Sequence, residues 1–207
     1  GGAYENGRVV QEYGGGICQV STTLYNAVLR AELNVTERSP HSMTVHYVDL
    51  SEDAAIAGTY KDFKFVNSTE YPIYIEGYTT SDKKITFNIY GKETRDKNRT
   101  ISFESQMVSE TPATTILQED AGQGIGYKAV SSKGSSGYVA ELYKIVKVNG
   151  VETDRIKVNK STYKGTNRVV TYGTAGDPTL SENLRAAIAA QDEALADANI
   201  AAAVPAQ

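Results

Sequence analysis

The chain has 207 residues, of which 40% are hydrophobic, and a formal net charge of −4 at pH 7. This length suits one large domain or two small ones with a tail, and no apolar run approaches the roughly 20 residues of a membrane-spanning helix. Lys and Arg are too dispersed to indicate a nucleic-acid partner. The single cysteine excludes an intrachain disulfide and a cysteine-rich zinc site. We expect no metal and no cofactor.

The glycine-rich run Gly14–Gly16 leads into Cys18, where a helical pattern begins. Apolar residues recur at helical spacing from Ile17 to Ala31 and predict a helix that ends near Asn34. N–H groups in the first turn of a helix have no intrahelical partners, and the helix dipole favours negative charge there. A cysteine in this position can have a lowered pKa and act as a nucleophile, whereas a buried structural thiol is the alternative.

The phase of this helix predicts which side faces the core. The stripe expected to be buried consists of Ile17, Val20, Leu24, Ala27, Val28 and Ala31. The adjoining face carries Cys18, Ser21, Thr22, Tyr25 and Leu29. Cys18 should therefore border the core without pointing to its centre, as a nucleophile in a cleft would. We expect backbone N–H groups around Gly15–Gln19 to stabilise an oxyanion.

Short strands are predicted after the helix, at 44–50, 63–67, 73–78, 85–90 and 100–104, with a hairpin turn at Ser81-Asp82. Farther along, a Gly- and Ser-rich segment at 122–137 is expected to be a loop region. Asn149-Gly150 predicts a type I′ turn that joins strands at 138–148 and 151–158, and a last strand is expected at 167–172. The Ala-rich residues 178–207 should form helix that buries little surface.

These elements predict an α+β protein in three parts. Residues 1–105 should form a domain in which the cysteine-bearing helix packs on an antiparallel sheet. Residues 106–174 should form a small, elongated all-β domain, and 175–207 a helical tail or linker. The middle part is mildly basic, which would suit an anionic partner, although a solvated surface of mixed charge is the alternative.

Both histidines of the chain, His41 and His46, follow the Cys18 helix closely. A cysteine nucleophile needs an acid and base whose pKa lies near the working pH, and histidine is the usual choice. His41 follows Pro40 in a loop that can reach the helix terminus, so it is the preferred base. His46 lies in the predicted strand 44–50 and is the alternative.

An acidic residue is needed to orient the imidazole, and Asp53 is the preferred candidate, with Asp49 and Glu52 as alternatives. Arg38 could bind a substrate carboxylate through two parallel hydrogen bonds. Tyr25 could line a pocket. A surface position for Arg38 and a core position for Tyr25 remain alternatives.

Two family resemblances emerge from these residues. The segments Gly14-Gly15-Gly16-Ile17-Cys18-Gln19, Pro40-His41-Ser42 and Asp53-Ala54 resemble the VanW domain, over roughly residues 1–92. The spacing of Tyr138, Asn149-Gly150, Arg168-Val169-Val170 and Gly173-Thr174 resembles a G5 domain. The chain departs from the usual VanW pattern at Ser39, often His, and at His46, often Ser.

The VanW resemblance implies an L,D-transpeptidase that acts on peptidoglycan outside a Gram-positive cell, with Cys18 as nucleophile and His41 as base. Cys18 would form a thioester on a stem peptide and pass it to an amine, which gives a 3-3 cross-link, or to water. A cysteine peptidase or amidase shares this site. The residues expected around Cys18, His41 and Asp53 as substrate contacts are Gly15, Gly16, Gln19, Ser21, Tyr25, Arg38, Ser42 and His46.

The G5 resemblance implies a wall-anchoring accessory that binds amino-sugar glycan, and the mildly basic middle part would also suit anionic wall polymers. A non-catalytic wall-binding protein is therefore the alternative function. In that case Cys18 would be structural, and some of the 14 tyrosines would stack on sugar rings. Thiol reactivity would distinguish the two functions.

Overall fold

The computed structural model describes residues 2–5, 8–11 and 16–203 and has the predicted α+β class. In chain order the elements are β1 (Gly2–Glu5), β2 (Arg8–Gln11), α1 (Ile17–Arg30), β3 (Asn34–Glu37), β4 (Lys64–Val66), β5 (Tyr74–Thr79), β6 (Ile85–Tyr90), β7 (Arg99–Thr111), β8 (Thr115–Gly124), β9 (Lys128–Ser135), β10 (Gly137–Val148), β11 (Val151–Tyr163), β12 (Thr166–Ala175), α2 (Pro178–Ala189) and α3 (Glu193–Ala203). None of the described helices is long and apolar enough to cross a membrane.

The chain forms two compact units, and each unit is built from two separate segments of the chain. The first comprises Gly1–Glu110 and Tyr138–Lys164, and the second comprises Thr111–Gly137 and Gly165–Gln207. The predicted boundaries at 105 and 174 divide the chain differently, because the β10–β11 hairpin returns to the first unit. Those boundaries stay a prediction.

In the first unit, α1 packs beside β6, which pairs antiparallel with β5, and beside β3, which pairs antiparallel with β4. A separate three-stranded sheet has the order β11-β10-β7. The predicted Asn149-Gly150 turn joins β10 to β11, and both residues have the positive φ of a type I′ turn, 52° and 81°.

The buried face of α1 differs from the predicted one. Its buried residues are Ser21, Thr22, Tyr25, Val28 and Leu29, whereas Ile17 is 53% exposed and Val20 is 41% exposed. Ser21 Oγ donates to the carbonyl oxygen of Ala54 at 2.6 Å, and Thr22 Oγ1 accepts from the Ala54 N–H at 3.0 Å. These partners allow two hydroxyl groups to be buried, and they turn the Cys18 side of α1 toward the segment 51–56.

Three local predictions are wrong. Residues 44–50 form a loop and not a strand. A segment with strand propensity becomes a strand only where it can pair with the edge of another strand. Here the carbonyl of Leu50 instead accepts a hydrogen bond from Ser105 Oγ at 2.6 Å. The expected loop region 122–137 contains β9, which pairs antiparallel with β12. The Ala-rich segment forms helix as predicted but buries more than predicted, because α2 contributes Leu184, Ala187 and Ile188 to the core of the second unit.

That second unit is a three-stranded sheet in the order β8-β12-β9 covered by α2 and α3, and β12 runs parallel to β8. Helix α2 begins at Pro178, where the Asp177 side chain accepts the N–H groups of Thr179 and Leu180, both at 3.0 Å. The sheet side of the core consists of Leu117, Val170 and Tyr172.

Candidate active site

Cys18 is the second residue of α1, which follows its N-cap residue Gly16. The thiol lies against the segment 51–56, where Sγ is 3.5 Å from both the backbone nitrogen and the carbonyl oxygen of Ile56. Asn26 fastens the same segment to the helix, because its Nδ2 donates to the Glu52 carbonyl at 2.8 Å. The nucleophile candidate is therefore held between a helix terminus and a fixed loop.

His41 lies beside Asp53 and interacts with Cys18. Its Nδ1 is 2.7 Å from Asp53 Oδ2, and its backbone N–H donates to the same oxygen at 2.6 Å. With Nδ1 engaged by Asp53, the interaction with the Cys18 thiol falls to Nε2, the ring nitrogen that Tyr47 Oη also approaches at 3.4 Å. The three residues stand in the order nucleophile, base and orienting acid.

The Asp53 carboxylate is fully buried and is held from several sides. Its Oδ1 accepts from Tyr163 Oη at 2.5 Å and from Arg38 Nη2 at 2.8 Å. Burial alone would raise the pKa of Asp53, but the hydrogen bonds from His41 and Tyr163 and the charge of Arg38 lower it instead. The acid is thus ionised and fixed in orientation.

The arrangement favours a thiolate–imidazolium pair. The hydrogen bond with His41 lowers the pKa of Cys18 against the opposing effect of burial, with help from the Ile56 N–H and the charge of Lys61. Burial alone would lower the pKa of His41, but the hydrogen bonds with Asp53 and Cys18 raise it to about 9. The two shifts have opposite directions, and both favour the charged form of each group, the thiolate and the imidazolium.

The structure divides the predicted substrate contacts into two groups. Gly16, Gln19, Ser42 and His46 are exposed, and Gly15 lies outside the described residues. Ser21, Tyr25 and Arg38 instead face the interior of the first unit.

The roles of Tyr25 and Arg38 follow from their contacts. Arg38 is 6% exposed, and its Nε and Nη1 donate to the carbonyl of Asp53 at 2.6 Å and to Ser161 Oγ at 2.8 Å. Tyr25 accepts a 2.8 Å hydrogen bond from Asn159 Nδ2. Both residues line a small cleft of about 260 Å³. Arg38 therefore braces the Asp53 loop, and its donors are already engaged by protein oxygens.

Among the described side chains, the hydrogen-bond contacts of the Cys18 thiol and of the His41 ring do not include His46, Asp49 or Glu52. His46 is exposed in the loop 44–50, and Asp49 is exposed as well. Glu52 is half-buried, and its backbone N–H donates to the Asp49 carbonyl at 3.1 Å. Among the side chains that the structure describes, Asp53 is the carboxylate that contacts His41.

Sequence reasoning missed three neighbours of the site. Tyr47 Oη is 3.4 Å from His41 Nε2. Lys61 Nζ donates to the Pro40 carbonyl at 2.6 Å and to Ser42 Oγ at 3.3 Å. Tyr163 comes from β11, a segment that the pattern assigned to another domain, so no local signal pointed to it.

Two further features bear on the chemistry. A cleft of about 940 Å³ lies near the opposite end of α1, and Arg30, Glu32 and Tyr71 are among its lining residues. Among the described residues, no group of His, Cys, Asp or Glu side chains could hold a metal ion.

Comparison with known proteins gives two family matches, and a relative and two solved structures that match in part. Residues 1–90 match the model of the family described as VanW like protein, and residues 103–175 match that of the G5 domain. The uncharacterized protein YoaR of Bacillus subtilis (strain 168) is 45% identical over 69 residues, which are 33% of this chain and 23% of YoaR.

Two solved structures also match in part. The IgA1 protease G5 domain is 24% identical with a TM-score of 0.30, over 41% of this chain and 100% of that one. The crystal structure of HP0197-G5 is 20% identical with a TM-score of 0.24, over 36% of this chain and 97% of that one.

Proposed function

We propose that this chain, in which a VanW-like region is followed by a G5 domain, is an L,D-transpeptidase-like cysteine acyltransferase that acts on the stem peptides of peptidoglycan. The two families indicate a cell-wall or surface protein, and we place it outside a Gram-positive cell. The observation that carries the proposal is the constellation of Cys18, His41 and a fully buried Asp53 at the start of α1.

In the first step the Cys18 thiolate attacks the carbonyl carbon that precedes the terminal D-residue, and a C–S bond forms. The Gln19 and Val20 N–H groups already donate to the Gly16 carbonyl, each at 3.1 Å. The helix geometry therefore leaves the N–H groups of Ile17 and Cys18 as oxyanion donors. The C–N bond breaks as the His41 imidazolium gives its proton to the departing amine.

In the second step an acceptor attacks the thioester. His41, now neutral, takes a proton from the acceptor amine or from water, and the C–S bond breaks to restore the thiolate. An amine acceptor yields a 3-3 cross-link, whereas water yields a trimmed peptide. Asp53 keeps the imidazole in one tautomer during both steps.

The decisive experiment incubates the protein with disaccharide-tetrapeptide muropeptides and identifies products by mass spectrometry. We expect released D-Ala and 3-3 cross-linked dimers from the unchanged chain, and neither product from Cys18→Ala. Met43→Ala, a substitution outside the triad, is the control for general damage. Unchanged cross-linking by Cys18→Ala would refute the proposal, and hydrolysis products alone would assign a peptidase.

A non-catalytic glycan-binding role is the second candidate, and one observation favours it. Tyr74, Tyr78 and Tyr90 share the solvent-exposed face of the β5–β6 hairpin, and the Tyr74 and Tyr90 rings stack at 6.1 Å with an interplanar angle of 29°. Exposed aromatic faces of this kind suit sugar rings. Co-sedimentation with insoluble peptidoglycan tests this role, because Tyr74→Ala should weaken binding while Cys18→Ala should not.

A further inference from the structure

Lys61 is a positive charge at the Cys18 site that has no carboxylate partner among the described side chains. The other cations in or near the interior of the first unit are paired, as in Arg38 with Asp53 at 2.8 Å and Arg99 with Glu32 at 2.5 Å. The Lys61 ammonium instead donates to two neutral oxygens, the Pro40 carbonyl and Ser42 Oγ. Three N–H groups and two such acceptors leave one donor for a ligand.

The fold fixes this ammonium between the two loops that build the site. Ala57 and Lys61 exchange backbone hydrogen bonds of 3.1 and 3.2 Å, across a turn in which Gly58 adopts a φ of +50°. This turn directly follows Ile56, whose backbone contacts the thiol. The acceptor Pro40 directly precedes His41. Lys61 is therefore held close enough for its charge to act on both Cys18 and Asp53.

The charge balance of the site supports an anionic ligand. In the ion-pair form, Arg38, His41 and Lys61 are positive, while Cys18 and Asp53 are negative. One positive charge is left over, and Lys61 is its source because Asp53 already contacts both other cations. A partly buried cation without a counterion is costly, so an incoming carboxylate would be attracted to this position.

We propose that Lys61 is a specificity residue that binds the C-terminal carboxylate of the leaving amino acid, so that the site selects peptides with a free terminus. This inference rests on the proposed function for the identity of the peptide. In such a donor the carboxylate lies three bonds from the carbonyl carbon that Cys18 attacks, so a cation beside the thiol can reach it. A donor that ends in an amide lacks this contact.

The first test compares two alkylating agents, iodoacetate and iodoacetamide, which differ in the carboxylate. Both need the same Cys18 thiolate, so any effect of Lys61 on the thiol pKa cancels in the ratio of their rates. We expect Lys61→Met to lower the iodoacetate-to-iodoacetamide ratio about 3- to 10-fold, as loss of one nearby charge implies. Lys61→Arg should preserve the ratio, and Lys84→Met, at an exposed lysine, is the control.

A ratio that Lys61→Met leaves unchanged, in protein with an unaltered circular dichroism spectrum, would overturn the inference. The second test compares tetrapeptide donors that end in carboxylate or amide. We expect Lys61→Met to raise KM about 3- to 10-fold for the carboxylate donor alone, whereas an equal rise for both donors would overturn the inference. If no variant turns over either donor, the proposed function fails, and the alkylation ratio still decides the role of Lys61.

Discussion

Substitution of Asp53 by Asn is the sharpest test of the electrostatics of the site. The pKa of His41 stands at about 9 instead of 6.5, and Asp53 is one of the two residues that raise it. That difference corresponds to about 2–3 kcal/mol after allowance for screening. Without the carboxylate, burial should dominate and return the pKa of His41 to its usual value or below.

The expected result is loss of the ion pair at neutral pH. The Cys18 thiol would then ionise only at alkaline pH, so alkylation by iodoacetamide at neutral pH should slow about 10- to 100-fold in Asp53→Asn. The alkylation rate of this variant should begin to rise at a higher pH than that of the unchanged chain. Asp49→Asn and Glu52→Gln, the alternative acids, are the matched controls and should keep the original profile.

Loss of folding must be separated from loss of charge. Asp53→Asn leaves the buried Arg38 without its counterion, which costs about 3–5 kcal/mol of stability. Tyr163→Phe removes a hydrogen bond to the same carboxylate but keeps its charge, so it should cost about 1.5–3 kcal/mol and leave neutral-pH alkylation nearly unchanged. If Cys18 in folded Asp53→Asn is alkylated with the original pH profile, Asp53 does not control the ionisation of the thiol.

Two further predictions concern stability. Hydrogen bonds from Arg99 and, to a smaller extent, from Lys144 lower the pKa of Glu32 from 4.5 to about 2, although burial opposes this shift. The stability that these bonds provide is therefore complete above pH 4.5 and is lost as the pH falls toward 2. Urea midpoints of Glu32→Gln should therefore depend less on pH in that window than those of the unchanged chain, and identical slopes would contradict this. In the second unit, Leu184→Ala should cost about 2–5 kcal/mol in thermal or urea unfolding, because Leu184 is fully buried, whereas Leu195→Ala, at a 48% exposed position, should cost far less.

Local patterns in the sequence were sufficient for several elements. Helical periodicity predicted α1, two short strand patterns around Ser81-Asp82 predicted the β5–β6 hairpin, and Asn149-Gly150 predicted the β10–β11 turn. Each of these signals depends on residues close in the chain. The wrong face of α1 has a different cause. Apolar spacing favours burial of Ile17 and Val20, but the backbone of Ala54 supplies hydrogen-bond partners that only the folded chain brings near.

The supports of the candidate site were beyond local reasoning for the same reason. Tyr163 and Ser161 lie more than 100 positions from the residues they support, with separations of 110 for Tyr163–Asp53 and 123 for Ser161–Arg38. No periodicity links such positions. The lone cysteine at a glycine-rich helix start did direct attention to His41 and Asp53, which the structure places together, and their catalytic roles stay a prediction.

The shared carboxylate explains how His41 could change its charge between the two proposed steps. Arg38 is permanently charged and contacts Asp53 Oδ1, while His41 contacts Oδ2. When His41 gives its proton to the leaving amine, the charge of Arg38 still stabilises the Asp53 carboxylate. Asp53 therefore stays ionised. The imidazole is then free to accept the proton of the incoming acceptor. A single buried acid between a fixed cation and a titrating one thus suits a base that must act first as an acid and then as a base.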